Sequence, residues 1–453
     1  MINGQARSMM KYSEIIKQIF NHAICAVDPA FLMRGYSEQI RSYISERGFK
    51  QLLVIGFGKA SYYMARTVCE EFDEKMIAGG AVITKYGHRG HRIHTSGIRA
   101  QITDLKGIRV FEAGHPVPDK NGMEATGEVI KLLKNNNDKT LVLCLISGGG
   151  SALLVAPYEG ISLNDKQSIT ELLLQAGADI TELNTVRKHI SQVKGGRLAQ
   201  IAFPSEVISL MISDVIGDRL DVIASGPTAP DSSSFKDAIE VINKYGVIRK
   251  VPGNVMSILS KGRDGLIPET PAGDDTVFKN IQNIIVGNNK KAIEAAQSKA
   301  GELGIETDVL SFEITGEARD VGKWLAGKAK EVKAENRDGV RCLISGGETT
   351  VKVKGKGQGG RNTELALSFA LEIEGTEGIT MLSAGTDGTD GPTDAAGAIV
   401  DGQTIVKARN SGLNPDECLD NNDSYKFFKA IDSLLITGPT GTNVMDMQII
   451  LIG

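Results

Sequence analysis

The hexapeptide Cys-Leu-Ile-Ser-Gly-Gly occurs twice in this chain, at residues 144–149 and 342–347, and it limits the fold more than any other feature. In each copy an apolar run stops abruptly at Ser-Gly-Gly, the pattern of a buried strand that opens into a tight turn free of bulky side chains. Such turns let backbone N–H groups close on an anion, and open α/β sheets bind ligands at the carboxyl ends of their strands. The first copy runs on through Gly150 and Ser151 into an expected helix start at 152–155. Ser147, Gly148, Gly149, Gly150 and Ser151 would then lie at a helix N-terminus, where negative charge is favoured. The second copy leads into Glu348 and so offers a carboxylate to a cation or a hydroxyl. The plainer alternative is two ordinary strand turns that share six residues by chance.

The rest of the chain alternates in the same manner. Apolar spacing predicts helices over 12–27 and from Asp28-Pro29 to about 44, then a strand at 52–55 that ends in Gly56-Phe57-Gly58-Lys59-Ala60-Ser61. A helix over 62–72, strands at 81–84 and 108–112 with a helix between them, and a helix capped by Asp119 lead to the first hexapeptide strand. Residues 163–202 read as mostly helical, broken by a basic turn at Lys194-Gly195-Gly196-Arg197. A strand at 207–212 then delivers Asp214 and Asp218. The stretch 262–275, with Pro268 and Pro271 and little periodicity, reads as a domain boundary. A second strand-helix-strand series starts at 284 and reaches the second hexapeptide. A hairpin-like 349–353, a glycine-rich run at 354–362, a helix to about 371 and a strand at 380–383 follow. An acidic turn at 385–397 and strands at 434–437 and 448–452 close the chain. This is α/β architecture with parallel-sheet alternation, and 453 residues exceed one compact core. The expected division is a first domain over 1–261, a boundary at 262–282 and a smaller α/β domain over 283–453.

Composition narrows the class of function. The formal net charge is −4 and the basic residues are dispersed, which argues against a nucleic-acid partner. The 52 glycines cluster after apolar runs, as ligand-facing turns do. Five cysteines stand at 25, 69, 144, 342 and 418 without C-x-x-C spacing, so they read as thiols of a reducing compartment and imply no zinc. Neither a signal peptide nor a membrane span is legible, and the expectation is a cytoplasmic protein. The sequence leaves the oligomeric state open, a homo-oligomer included.

Individual motifs point to phosphate. The turn at 56–61 resembles a dinucleotide fingerprint, but Ser61 replaces its third glycine, and the next strand ends at Thr84 and Lys85 where an acidic residue should meet the ribose. Lys59 instead places a cation at a helix start, where an anionic neighbour such as phosphate would suit it; a solvent-facing lysine is the alternative. No Walker A loop occurs, so phosphate would need dispersed glycine turns. Arg361 follows Gly357, Gly359 and Gly360 and precedes a helix, and its guanidinium can grip phosphate oxygens bidentately. An arginine in a loose basic loop with Lys354 and Lys356 is the competing reading. Carboxylates at Asp214, Asp218, Glu348, Asp387, Asp390 and Asp394 follow strand ends. Magnesium needs one or two carboxylates besides substrate phosphates, and Asp214, Asp218 and Asp387 are the candidates. Asp394, before two alanines, reads as a helix cap. His115, in Gly-His-Pro-Val-Pro-Asp, reads as structural or substrate-contacting rather than a metal ligand.

Taken in order, GFGKAS, GHPVPD, LISGGGSALL, NTVRKHISQVKGGRLA, SDVIGD with ASGPT, LISGGETTV, GQGGRNTELAL and AGTDGTDGPTDAAGA closely resemble the glycerate 2-kinase family, whose C-terminal part is known as the MOFRL module. The match runs from about residue 12 to the C-terminus. The resemblance implies ATP-dependent phosphorylation of D-glycerate on its 2-hydroxyl with Mg²⁺ or another divalent cation. It places the active site in a cleft between a Rossmann-like N-terminal domain and a smaller α/β C-terminal one. The family's essential lysine and arginine match Lys59 and Arg361, and its catalytic aspartate matches Asp214. The turns at 147–151 and 357–360, with Glu348, would hold substrate carboxylate and nucleotide phosphates, in an order the sequence does not assign. Two rival readings are an NAD(P)H-dependent hydroxypyruvate reductase, an older label in this family, and a non-enzymatic sugar-phosphate-binding regulator.

Overall fold

The computed structural model describes residues 2–88, 105–335 and 338–453, with side chains from Tyr12 onward in the first helix. It divides into two compact units, one of Leu32–Val286 and one of Gly287–Gly453 together with Met1–Phe31.

In the first unit, strands β1 (Gln51–Phe57), β2 (Ile77–Lys85), β3 (Ile108–Ala113), β4 (Thr140–Ile146), β5 (Val207–Ile212) and β6 (Ile281–Gly287) form one sheet. Its order is β3-β2-β1-β4-β5-β6, and β1 to β5 pair in parallel. This is the doubly wound strand order in which the topology reverses between β1 and β4. Both strands are apolar almost throughout because helices cover the two faces: β4 is buried from end to end and β1 from Leu52 on. The helix Lys120–Lys134 starts where the sequence places it, with Asp119 accepting from the Gly122 amide. The helix expected between β2 and β3 falls largely outside the described residues. A second apolar cluster in this unit joins four helices, Leu163–Gln175, Ile180–His189, Phe235–Lys244 and Gly253–Arg263.

The expected boundary lies inside this unit. A Cβ on Gly262 would strike the Phe235 ring, Arg197 donates to the Pro268 carbonyl, Thr270 donates to Asp231, and the Asp231 amide donates to the Pro271 carbonyl. Two prolines and weak periodicity therefore mark a packed irregular segment rather than a linker. The first helix departs from expectation as well. Ile16, Ile19, Phe20, Ala23 and Val27 are buried, and the helix packs on helix Asn289–Glu302 and on strands of the C-terminal sheet. A long amphipathic helix declares that it has a partner, but its spacing does not name one.

The second unit holds β7 (Glu306–Ile314), β8 (Arg341–Gly347), β9 (Ile379–Gly385), β10 (Gly397–Asp401), β11 (Leu434–Leu435) and β12 (Asp446–Ile452), in the order β11-β10-β9-β12-β8-β7. Only β7 and β8 run parallel; β12 inserts antiparallel between β8 and β9, and β10 and β11 add antiparallel pairs. The parallel series expected from residue 284 thus gives way to a mixed sheet, since the last strand of the chain occupies its centre. The hairpin expected at 349–353 is not a strand pair either; Thr350 makes only an isolated bridge to Glu317. Asp394 caps no helix. It precedes β10 and accepts from the Tyr425 hydroxyl at 2.7 Å.

Candidate active site

The two copies of the hexapeptide do different things. In the first, β4 ends at Ile146 and Ser147–Gly149 turn away. Gly149 takes φ +83 as the N-cap of a short helix, Gly150–Leu153, and the amides of Gly148 and Gly149 make no hydrogen bond to any described residue. In the second, the strand continues through Gly347, because β12 supplies ladder partners, Asp446 opposite Gly347 and Met447 opposite Gly346. Its glycines answer to packing. A Cβ on Gly346 would lie 2.2 Å from Asn289 Oδ1, and one on Gly347 would lie 2.2 Å from the Ile314 carbonyl. The amide of Glu348 is itself bound to Ile314 O at 2.9 Å. Only the first copy is an open turn.

That turn sits at the switch point between β1 and β4, where doubly wound sheets hold ligands. The end of β1 is tied to it closely: Lys59 N donates to Gly148 O at 2.9 Å, and Ala60 N donates to Ser147 Oγ at 2.9 Å. Gly58 (φ +132) has to be glycine, since a Cβ would lie 2.2 Å from Ser147 Oγ. Three polar side chains converge on the next two residues. A Cβ on Gly148 would lie 2.0 Å from Asp214 Oδ2, and one on Gly149 would lie 2.9 Å from His115 Cδ2 and 3.3 Å from Lys59 Cγ. The glycines keep this space clear for backbone and side chains to approach a small ligand. Burial first, and then the charges of Lys59, Lys85 and His88, push the His115 imidazole down to about 4, so it is neutral at physiological pH. The sequence reads His115 as structural or substrate-contacting, and the structure brings it beside Lys59. Asp218 lies four residues beyond Asp214 in the loop after β5, in the left-handed region at φ 51.

In the second unit, the Arg361 guanidinium is held by carboxylates on two sides. Nε and Nη2 donate to the two oxygens of Asp446, the latter at 3.0 Å, and Nη1 donates to Glu348 Oε1. Asp446, the first residue of β12, is buried; burial pushes its carboxyl up to about 6 against the opposing pull of Arg361. For Arg361, burial works against the charge, but Asp446 and then Glu348 outweigh it and hold the guanidinium charged. The helix Arg361–Glu372 is capped from a distance: Asp390 Oδ1 accepts from Asn362 N at 2.9 Å and Asp390 Oδ2 from Thr363 N at 2.8 Å. Asp387 Oδ1 accepts from Thr389 N at 3.0 Å and from its hydroxyl at 2.9 Å.

The glycine run before Arg361 is not a set of open amides. The amides of Lys354 and Gly355 donate to Asn422 Oδ1, that of Lys356 to Asn421 Oδ1, that of Gly357 to Asn421 O, that of Gln358 to Asp423 Oδ1 and that of Gly360 to Thr363 Oγ1. A Cβ on Gly357, Gly359 or Gly360 would collide with Asp423, Ser424 or Asp390. These glycines let the run lie against residues 421–424 and deliver Arg361 rather than cradle phosphate with N–H groups. Asp446 escaped the sequence reading because it opens a strand rather than following one; the sign that could have found it is a carboxylate heading a strand that is apolar but for Gln448 and buried from 446 to 452.

An open glycine turn at the switch point of a doubly wound sheet, with lysine, carboxylate and neutral histidine around it, is the arrangement of an α/β protein with a small-ligand site. Comparison with known proteins narrows this. The chain matches a domain of unknown function (DUF4147) over residues 15–260 and the MOFRL family over 341–446. It is 45% identical to a D-glycerate 2-kinase of Thermotoga maritima, covering 91% of this chain and 93% of that protein. It is 39% identical to a glycerate 2-kinase of Pyrococcus horikoshii, covering 98% of each. A relative from Agrobacterium vitis at 41% identity, covering 88% and 99%, carries a provisional hydroxypyruvate reductase name. The crystal structure of a glycerate kinase from Thermotoga maritima superposes with a TM-score of 0.85 at 42% identity, covering 98% of this chain and all of that one. The chain belongs to the glycerate 2-kinase family.

Proposed function

We propose that the protein transfers the γ-phosphoryl group of ATP to the C2 hydroxyl of D-glycerate, giving 2-phosphoglycerate and ADP. The observation that carries this reading is the convergence of Lys59, His115 and Asp214 on one open glycine turn. Phosphoryl transfer asks for positioning and charge neutralisation more than for covalent chemistry. Asp214, against Gly148, orients the hydroxyl and takes its proton as the new oxygen–phosphorus bond forms and the bond to the ADP oxygen breaks. Lys59 places its charge beside the phosphoryl oxygens. His115, uncharged, offers a hydrogen bond without adding to the field. In the second unit, Arg361 is a guanidinium preset by Asp446 and Glu348 for planar contact with phosphate.

A divalent cation, Mg²⁺ by preference, would supply charge neutralisation for the transferring phosphoryl group. Among the described residues no group of three or more His, Cys, Asp or Glu side chains could hold a metal ion. Two carboxylates in the loop after β5, Asp214 and Asp218, suit the sparse protein share that magnesium takes in kinases, while Asp387 belongs to the other unit. The reductase reading finds Thr84 and Lys85 at the end of β2, where a dinucleotide ribose needs a carboxylate. The partners are small molecules rather than nucleic acid. No helix among the described residues is long and apolar enough to cross a membrane, and five free thiols fit a reducing cytoplasm.

The choice of C2 over C3 rests mainly on the likeness to the glycerate 2-kinases, and anchoring leans the same way. With the carboxylate fixed, the adjacent C2 hydroxyl has less freedom to leave in-line alignment, where small misplacement is costly. Purified protein with ATP, Mg²⁺, D-glycerate and enolase should form phosphoenolpyruvate directly. A signal that appears only after phosphoglycerate mutase is added would make C3 the acceptor, and no ATP consumption at all would refute the kinase.

A further inference from the structure

Beneath the open turn lie three cations without a counter-charge. Lys166 in the helix Leu163–Gln175 is 2% exposed, and its Nζ has no hydrogen-bond partner among the described residues. Lys194 is fully buried, its Nζ donating to Ser151 O at 2.8 Å and to Ala224 O at 3.4 Å. Arg187 donates from Nη2 to the same Ser151 carbonyl at 3.5 Å, and its buried Nε is unpartnered. Among the described residues none of the three forms an ion pair with a carboxylate, and the charge of Arg187 adds to burial in disfavouring both charged lysines. The contrast with the adjoining Lys188 is informative, since that lysine is buried too but pairs with Asp231 at 3.1 Å. Isolated buried charge is too costly to be carried without a partner, and here burial pushes Lys166 down to about 7 and holds Lys194 well below its ordinary value.

We infer that Lys166, Arg187 and Lys194 are the seat of the substrate carboxylate, with Arg187 as the direct contact. Position favours a carboxylate over a nucleotide phosphate. Gly148 touches Asp214, Gly149 faces Lys59 and His115, and Ser151 is held by Arg187 and Lys194. Three residue steps along a tight turn lead from the first to the last, about 5 Å at helical rise. In a 2-hydroxy acid the carboxylate is bonded to the carbon that bears the reacting oxygen, so both ends of such a molecule are met at once. Arg187 and Ser151 are partly exposed while the two lysines lie behind them, an arrangement in which Arg187 receives the anion and the lysines, protonated as it enters, supply the field. This inference rests on the kinase reading and specifies its substrate subsite.

Steady-state kinetics of Arg187→Met should show the KM for D-glycerate raised at least tenfold with the KM for ATP within about twofold. Preference for glycerate over the isosteric, uncharged D-glyceramide should shrink by a similar factor. A raised KM for ATP with that for glycerate unchanged would make the cluster a phosphate site, and an unchanged KM for both with lowered thermal stability would make it a structural clamp on residues 151 and 224; either overturns the inference. Should Arg187→Met fail to fold, calorimetry on the wild type decides. D-glycerate binding measured at pH 7.5 in two buffers of different ionisation enthalpy should take up protons, and binding without uptake refutes the seat. If D-glycerate binds with uptake but no ATP is consumed, the carboxylate seat stands and the kinase reading falls.

Discussion

Replacing Gly148 by alanine isolates the placement of Asp214 from the stability of the fold. The backbone at Gly148 does not need φ > 0, so alanine carries no conformational penalty of that kind. Its Cβ would lie 2.0 Å from Asp214 Oδ2 and 2.7 Å from Cγ. Ordinary C···O contacts begin near ~3.3 Å, so the carboxylate must retreat by about 1 Å or more. It is the far end of a side chain in a loop and can retreat by rotation, at about 0.5–1.5 kcal/mol for an off-rotamer torsion. A catalytic group displaced by about 1 Å loses on the order of 10²-fold in rate. The expected result is a kcat/KM for D-glycerate about two orders of magnitude below wild type in the enolase-coupled assay, with urea unfolding shifted by no more than about 1.5 kcal/mol. Gly127→Ala is the control: it lies in the helix Lys120–Lys134 with nothing within 4 Å of its Cβ, and it should be neutral in rate and slightly stabilising. A folded Gly148→Ala protein with turnover within threefold of wild type would refute the placement of Asp214 against this turn as a condition of catalysis.

Lys59→Met should lower kcat by about two orders of magnitude or more without changing the unfolding midpoint, as loss of a positioned donor does; near-normal turnover would remove Lys59 from the mechanism. Asp446→Asn deprives Arg361 of one of its two carboxylates while Glu348 remains, so urea unfolding should show a loss of about 1–3 kcal/mol, below the full cost of orphaning a buried charge. Unchanged stability would mean that Glu348 alone holds the guanidinium. Arg361→Lys keeps the charge but not the fork, and a fully active variant would reduce Arg361 to a point charge. The folded-state pKa of His115, about 4, lies below its ordinary 6.5, so the neutral form is the one the fold accepts. Its contribution is present above pH 6.5 and lost as pH falls towards 4. Thermal melts should therefore drop more steeply across that window in wild type than in His115→Gln, and parallel slopes would refute the assignment.

Local pattern determined much of this protein. Strand positions, the Asp119 cap and the open turn after β4 follow from apolar runs, glycine and a capping carboxylate, all of which act over a few residues. Lys59 and Asp214 could be singled out for the same reason, since each lies beside a glycine-rich strand end, and the fold brings both to the turn after β4. Tertiary structure decided what local pattern cannot carry. Six identical residues make an open turn at 144–149 and a paired strand at 342–347 because β12, about a hundred residues later, supplies hydrogen bonds to the second copy alone. The run at 354–360 looked like a phosphate cradle until residues 421–424 took up its amides. Asp390 caps a helix that begins 29 residues before it, and Asp446 fixes Arg361 from 85 residues away. The three buried cations come from two helices and a glycine turn whose spacing shows only surface-like basic residues. Backbone propensity acts within a turn or two of chain, whereas hydrogen-bond satisfaction and charge compensation depend on which distant atoms share the same few ångströms, and only the folded chain brings those together.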